Sequence, residues 1–309
     1  MKYRREYLFV IMVWMLTSTA SGQQVVRADK FFTNVGDRVV IQTSASQKLL
    51  FDEQFGKNLI LNGHPLVIYA DNAEIVGTVT IRAYDEKDVP TDSSGVGAAG
   101  GRGADSGGCG HNGCQGGTGG TGGDGPVGAT GHDAPDIVVS IKNLTGTGKL
   151  IVLNLGQRGG KGGTGGRGGD GGRGGDGEDR GCGSGIFGTN AHGPGDGGRG
   201  GTGGTGGTGG KGGTGGQGGT ITTSDTLIGA LSGGRLLLDV SGGEGGPAGP
   251  AGGAGNPGGG GGMGGGNGCG GGGTTGVGGS GGAAGATGPQ GDKGPSGRMI
   301  CYGAACEKK

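Results

Sequence analysis

From residue 159 to residue 176 the chain repeats Gly-Gly-X without a break, X being Lys161, Thr164, Arg167, Asp170, Arg173 and Asp176. The triplet resumes from 197 to 217, with Arg199, Thr202, Thr205, Thr208, Lys211, Thr214 and Gln217 at X. A period of three fits neither the α-helix, at about 3.6 residues per turn, nor the alternation of a strand. It fits the left-handed extended helix with a rise of ~3.1 Å per residue, in which X side chains stack on one edge about 9.3 Å apart and two edges are bare backbone. That helix has no internal hydrogen bonds, so its amides need partners in neighbouring segments, and only glycine lets backbones approach on two sides. The triplets therefore predict a laterally bonded bundle of polyglycine-II helices rather than a flexible linker.

Glycine supplies 96 of 309 residues, while aromatics are 4% and charged residues 16%. So little apolar material excludes a conventional single-core enzyme domain. Only 10 prolines exclude an ordinary collagen. The zero net charge gives no footprint for nucleic acid or an anionic membrane.

Glycine is not spread evenly. A β-rich region at 23–94 is followed by three glycine-rich arms at 95–131, 156–219 and 242–298, separated by two ordinary islands at 132–155 and 220–241. Both islands read as strand, Leu-(Thr/Ser)-Gly turn, basic residue and aliphatic strand, and 73–84 looks like an earlier copy. Alternation puts Val79, Ile81 and Ala83 on one face, as it does Ile137, Val139 and Ile141, then Ile151, Leu153 and Leu155, then Leu236, Leu238 and Val240. Repeats that each add a strand pair predict a β hub, a shared sheet, sandwich or short solenoid, from which the arms leave and to which they return. No α-helix is expected outside the leader.

Residues 1–22 read as a secretory signal: Lys2, Arg4 and Arg5, the apolar stretch 7–16, then small residues before Gln23. The apolar run is shorter than the ~20 residues of a membrane span, so a soluble exported product without membrane insertion is expected. Export favours oxidation of the six cysteines, Cys109, Cys114, Cys182, Cys269, Cys301 and Cys306, and a C-terminal cysteine-containing tail occupies 299–309. Local closure is expected for Cys109 with Cys114 and for Cys301 with Cys306. Cys182 and Cys269 lie at similar distances out along their arms, which predicts a bridge near the tips. The second arm is expected to fold back about 178–194 so that Arg173 faces Thr202 and Asp176 faces Arg199.

The triplet pattern across 95–297 resembles the polyglycine-II proteins, as in snow-flea-type antifreeze proteins and glycine-rich phage tail-fibre adhesins. A strand hub with emergent glycine arms is more weakly similar to the N-terminal domain of Obg-type proteins, but there is no GxxxxGK[ST] loop and so no GTPase. Residues 285–297 are similar to collagen over about four triplets, too few to hold a triple helix alone.

No catalytic constellation is present: His64, His111, His132 and His192 lie in unrelated contexts, and no G-x-S-x-G occurs. Cys109-x-His111-x-x-Cys114 suits a closed tip better than a metal site, and Glu178 spoils the one match to a calcium nonapeptide, so neither cofactor nor metal is expected. Asn143-Leu-Thr145 is a glycosylation acceptor or simply a turn. The expectation is a secreted or cell-surface, non-enzymatic structural or adhesive protein whose rigid bundle presents tip loops, with Ile186, Phe187, Asn190 and His192 as candidate contacts to an extracellular ligand. The alternatives are an antifreeze protein meeting ice through Thr202, Thr205, Thr208 and Thr214, interrupted by charged neighbours on the same arm, and a collagen-like extracellular assembly.

Overall fold

The computed structural model describes residues 24–27, 33–35, 38–52, 59–90, 95–179, 193–265 and 272–303. The fold is mainly β, and its two principal sheets are parallel apart from one hairpin. The first sheet contains β1 (Gln24–Arg27), β2 (Thr33–Val35), β3 (Arg38–Gln42), β4 (Gln47–Phe51), β6 (Leu66–Ile75), β10 (Ile137–Gly146), β12 (Thr220–Ser224) and β14 (Arg298–Tyr302). The second orders β13 (Leu236–Asp239), β11 (Lys149–Leu153), β7 (Thr78–Arg82) and β5 (Leu59–Ile60). Each island contributes one strand to each sheet beside the previous copy, as the repeats predict. The early copy is real: Ile137 pairs with Leu66 and Leu150 with Val79, the same shift of 71 positions in both sheets.

Inward side chains of the two sheets meet in one core, with Phe51, Ile68, Ile81, Ile137, Ile141, Leu150, Val152 and Ile221 fully buried. Each such side chain contributes about 1.5–3 kcal/mol. Val79, Ile81 and Ala83 face inward as expected, as do Ile137, Val139 and Ile141. In β11 the expectation fails. Leu150, Val152 and Asn154 point in, while Ile151, Leu153 and Leu155 are only half-buried. The run is apolar on both faces, so alternation could not choose, and pairing of Leu150 with Val79 and Val152 with Ile81 decides it.

A second correction concerns helix content. The chain between β12 and β13 forms α1 (Asp225–Ser232), where the earlier copies have a two-residue turn. Ser224 and Asp225 suit a helix start, Leu227 is buried in the core, and Gly234 takes a positive φ of 70° just past the end.

The arms carry almost no regular strand, yet they are hydrogen-bonded throughout. Outgoing limbs cover 95–107, 155–178 and 240–265, and returning limbs cover 113–135, 193–219 and 272–297. Outgoing limbs run parallel in one layer, Gly97 N–H donating to Thr164 O at 2.8 Å and Gly159 to Glu244 O at 2.9 Å. Returning limbs form the other layer, Gly119 donating to Thr202 O at 2.8 Å and Gly200 to Val277 O at 2.9 Å. Antiparallel bonds knit the layers, as from Gly160 to Ala129 O, Gly201 to Gly172 O and Gly246 to Gly213 O. In the triplets of limbs 155–178 and 193–219, both glycines donate and the X residue is left at the surface.

The layers are continuations of the sheets. β10 and β12 are shifted by 84 positions, and so are the limbs that feed them, where Thr208 N–H meets Asp124. The shift of 78 between β12 and β14 recurs between their limbs at Asp196 and Thr274. The shift of 86 between β11 and β13 recurs at Asp170 and Asn256. The limbs keep the shifts that the strands set, so register passes across the junction without adjustment. Asn154 seals that junction: fully buried, it donates from Nδ2 to Pro135 O at 2.8 Å and to Thr220 O at 3.3 Å.

Candidate functional site

The surface splits into a tip and two faces, each built by different limbs. At the tip, β8 (Gly108–Cys109) and β9 (Asn112–Gly113) pair antiparallel around Gly110, whose φ is 66°. Cys109 and Cys114 are disulfide-bonded with Cα atoms 5.0 Å apart, so the local closure expected there is present. Cys301 is also disulfide-bonded, its partner lying outside the described residues. Cys182, Cys269, Cys306 and the candidates Ile186, Phe187, Asn190 and His192 lie outside them too.

A row of four backbone bonds crosses all three arms just below the tip. Glu178 N–H donates to His111 O at 3.2 Å, Gly195 to Glu178 O at 2.9 Å, Gly264 to Gly195 O at 2.9 Å and Gly273 to Gly264 O at 3.2 Å. Limbs of all three arms are therefore bonded together at the level of the first arm's turn.

The outgoing layer presents the charged face. Arg102 pairs with Asp105 at 2.8 Å, Arg167 with Asp170 at 3.0 Å and Arg173 with Asp176 at 2.7 Å, each one triplet apart. These pairs are exposed and screened by water, so they contribute little to stability. The returning layer presents Thr118, Thr121 and Thr130 on 113–135, then Thr202, Thr205, Thr208 and Thr214, then Ser280, Ala283 and Ala286. Charges on this side are fewer, with Asp124, Arg199, Lys211 and Asp292 among them, and Lys211 meets Asp292 at 2.6 Å.

This geometry corrects the fold-back expectation. The second arm does return on itself, but Arg173 and Thr202 belong to layers whose X positions face away from each other, so the charge pairing across the hairpin does not arise. Of the charged residues expected to interrupt the threonines, Lys161, Arg167, Asp170 and Arg173 accordingly do not, whereas Lys211 does, standing between Thr208 and Thr214 on the returning limb.

Sequence reasoning missed the role of the aspartates. Asp105 accepts the Arg173 amide at 2.7 Å, Asp124 that of Thr208 at 2.9 Å, Asp133 that of Gln217 at 2.7 Å and Asp170 that of Asn256 at 2.8 Å. Asp176 and Asp179 do the same for Gly262 and Gly265, and Asp196 for Thr274 at 2.7 Å. Each reaches the next limb of its own layer and occupies an X-row amide that the glycine lattice leaves over. The Asn256 amide, with Arg167 and Arg102 nearby, holds Asp170 below the usual carboxylate range, and the Thr274 amide and hydroxyl, with His111, do so for Asp196. The only sequence signal was Asp recurring at X.

A shallow cleft of about 310 Å³ lies on the charged side of the junction, floored by Leu153 and Leu155. Arg82 pairs with Glu86 across its rim, and Lys293 with Glu244 at 2.8 Å, which raises the lysine pKa. Among the described residues no group of His, Cys, Asp and Glu is arranged to hold a metal ion, and no helix is long and apolar enough to cross a membrane.

The chain matches no protein-family model and no curated protein. Among solved structures it is similar to the springtail antifreeze protein of Granisotoma rainieri, described as a nine polyproline type II helical bundle, at 24% identity over 60% of this chain and 92% of that one. The TM-score is 0.12, and so loose a superposition assigns neither fold nor activity to this chain.

Proposed function

We propose that this is a secreted, non-catalytic structural or adhesive protein in which the limbs form a polyglycine-II bundle that holds tip loops rigidly away from the β hub. The supporting observation is the hydrogen-bonded row from His111 through Glu178, Gly195 and Gly264 to Gly273, which ties limbs of all three arms together at the level of the first arm's turn. Loops on a rigid scaffold are favoured places for binding, because their ordering cost is met before contact. Replacing residues 180–192 with a glycine-serine loop tests this. Attachment to the producing organism's surface partners should be lost while amide protection in 155–178 persists, and undiminished attachment contradicts the reading.

Ice binding is the second reading, favoured by the segregation of Thr202, Thr205, Thr208 and Thr214 onto a face away from Arg167, Asp170 and Arg173. Thermal hysteresis in the wild type that falls on Thr205→Lys supports it, and the absence of hysteresis contradicts it. The collagen-like reading has less support: the Gly-X-Y stretch near 285–297 lies on an edge limb, where one inward glycine per triplet suffices.

A further inference from the structure

The sequence leaves Asn143-Leu-Thr145 with two readings, a glycosylation acceptor or a turn. It is not a turn. All three residues belong to β10, and the turn begins only at Gly146, whose φ is 91°. Asn143 and Thr145 are exposed, whereas Leu144 between them is half-buried and packs against the core. Alternation along the strand thus presents the acceptor amide and the hydroxyl two places on to solvent, on the side away from Leu144.

The same stretch has room beside it. β10 pairs with β6 from Ile137 to Gly146, but with β12 only from Ile137 to Val139. After Ser224 the next copy forms α1 instead of continuing as strand, so among the described residues Asn143–Thr145 has a sheet neighbour on one side only. On the other side of the pair, Asn143 Nδ2 donates to Asn72 Oδ1 at 3.1 Å. Asn72 holds the same place one copy earlier, yet it is half-buried and has Glu74 where Asn143 has Thr145. Only the copy with room carries the hydroxyl. Of the ten asparagines in the chain, Asn143 alone is followed two places on by Ser or Thr, so the chemistry has one address.

We infer that Asn143 is a site of N-glycosylation, modified during export with an oligosaccharide from a lipid pyrophosphate donor. This rests on the reading of residues 1–22 as a secretory signal. A bond forms between Asn143 Nδ2 and C1 of the first sugar, the bond from that C1 to the pyrophosphate oxygen breaks, and Nδ2 gives up one proton to the departing pyrophosphate. One N–H remains on Nδ2, which keeps the bond to Asn72 Oδ1. Limb 113–135 enters β10 at its first residue, so Asn143, toward the far end of the strand, stands on the base of the hub away from the bundle. Sugar there leaves both faces and the tip clear.

The test is intact-mass analysis of the chain secreted by the producing organism, before and after treatment with peptide-N-glycosidase, which releases the sugar and leaves Asp in place of the acceptor Asn. The secreted chain should exceed the mass of residues 23–309 by one oligosaccharide, lose that excess on treatment, and show the conversion at position 143 and not at 72. Thr145→Ala, which keeps Asn143 and its bond to Asn72, should abolish the added mass, and Thr145→Ser should retain it. Amide exchange in 155–178 should be unchanged in both variants, showing that the fold is intact. A secreted wild type without added mass overturns the inference, as does a glycan that survives Thr145→Ala. A wild type that keeps residues 1–22 and stays in the cell overturns it by a different route, since the export on which it rests would then be wrong.

Discussion

Asp170 on an outgoing limb accepts the backbone amide of Asn256, 86 residues further on, at 2.8 Å, and that separation is also the shift between β11 and β13. The aspartates thus fix limbs in the register already set by the hub. A slip of one triplet would leave each carboxylate facing a different amide and break the continuity of sheet and layer together.

The carboxylates of Asp170 and Asp196 are held low chiefly by backbone amides, those of Asn256 and Thr274. Since the folded pKa lies below the unfolded one, their contribution is fully present above the ordinary Asp value of about 3.9 and is lost as pH falls through the depressed folded values. Thermal melts should therefore be flat from neutrality to about pH 5 and decline below pH 4. Asp170→Ala should flatten that decline, and carboxyl carbon shifts should titrate below the unfolded value.

Glycine substitutions should divide by neighbours rather than by position in the triplet. At Gly207 a Cβ would sit 2.5 Å from Gly123 C, so Gly207→Ala must spread two limbs and should cost at least ~1–3 kcal/mol. Gly101 has nothing within 4 Å of the same position, and Gly101→Ala should fall within about 0.5 kcal/mol of wild type. Denaturant melts of the two variants check this.

Asn154 should prove the most sensitive polar residue of the junction. Its Nδ2 donates to Pro135 O and Thr220 O in a fully buried site, so Asn154→Ala strands two carbonyls at ~1–3 kcal/mol. Asn154→Asp should be worse, since a carboxylate would face the same two oxygens without water. Melting temperatures of the two variants should rank in that order.

The strand copies were legible in sequence because their turns and alternation repeat, and the triplet was legible because only glycine allows such approach. The inward face of β11 was not, since Leu150, Ile151, Val152 and Leu153 are equally apolar and only the neighbour's register distinguishes them. Helix α1 was overlooked because Leu-Ser-Gly at its end matches the turn of the earlier island, although Ser224, Asp225 and Gly234 mark helix boundaries. The two faces escaped notice because the fold-back was expected to set the X residues of its two limbs opposite each other, whereas those limbs lie in different layers with their X residues turned outward. The glycine content of a limb follows its neighbours: 155–178 and 193–219 each bond to four others and keep both glycines, whereas edge limbs admit Ala and Pro, as at Ala98, Ala251 and Pro289.

Hydrogen–deuterium exchange resolved to single amides of the oxidised protein measures the lateral bonding directly. Gly160, Gly169, Gly204 and Gly213, which donate between layers, should exchange orders of magnitude more slowly than the exposed amides of Gly278 and Gly281. Uniform exchange at the rate of an unstructured glycine peptide across 155–219 would contradict the bundle and the function built on it.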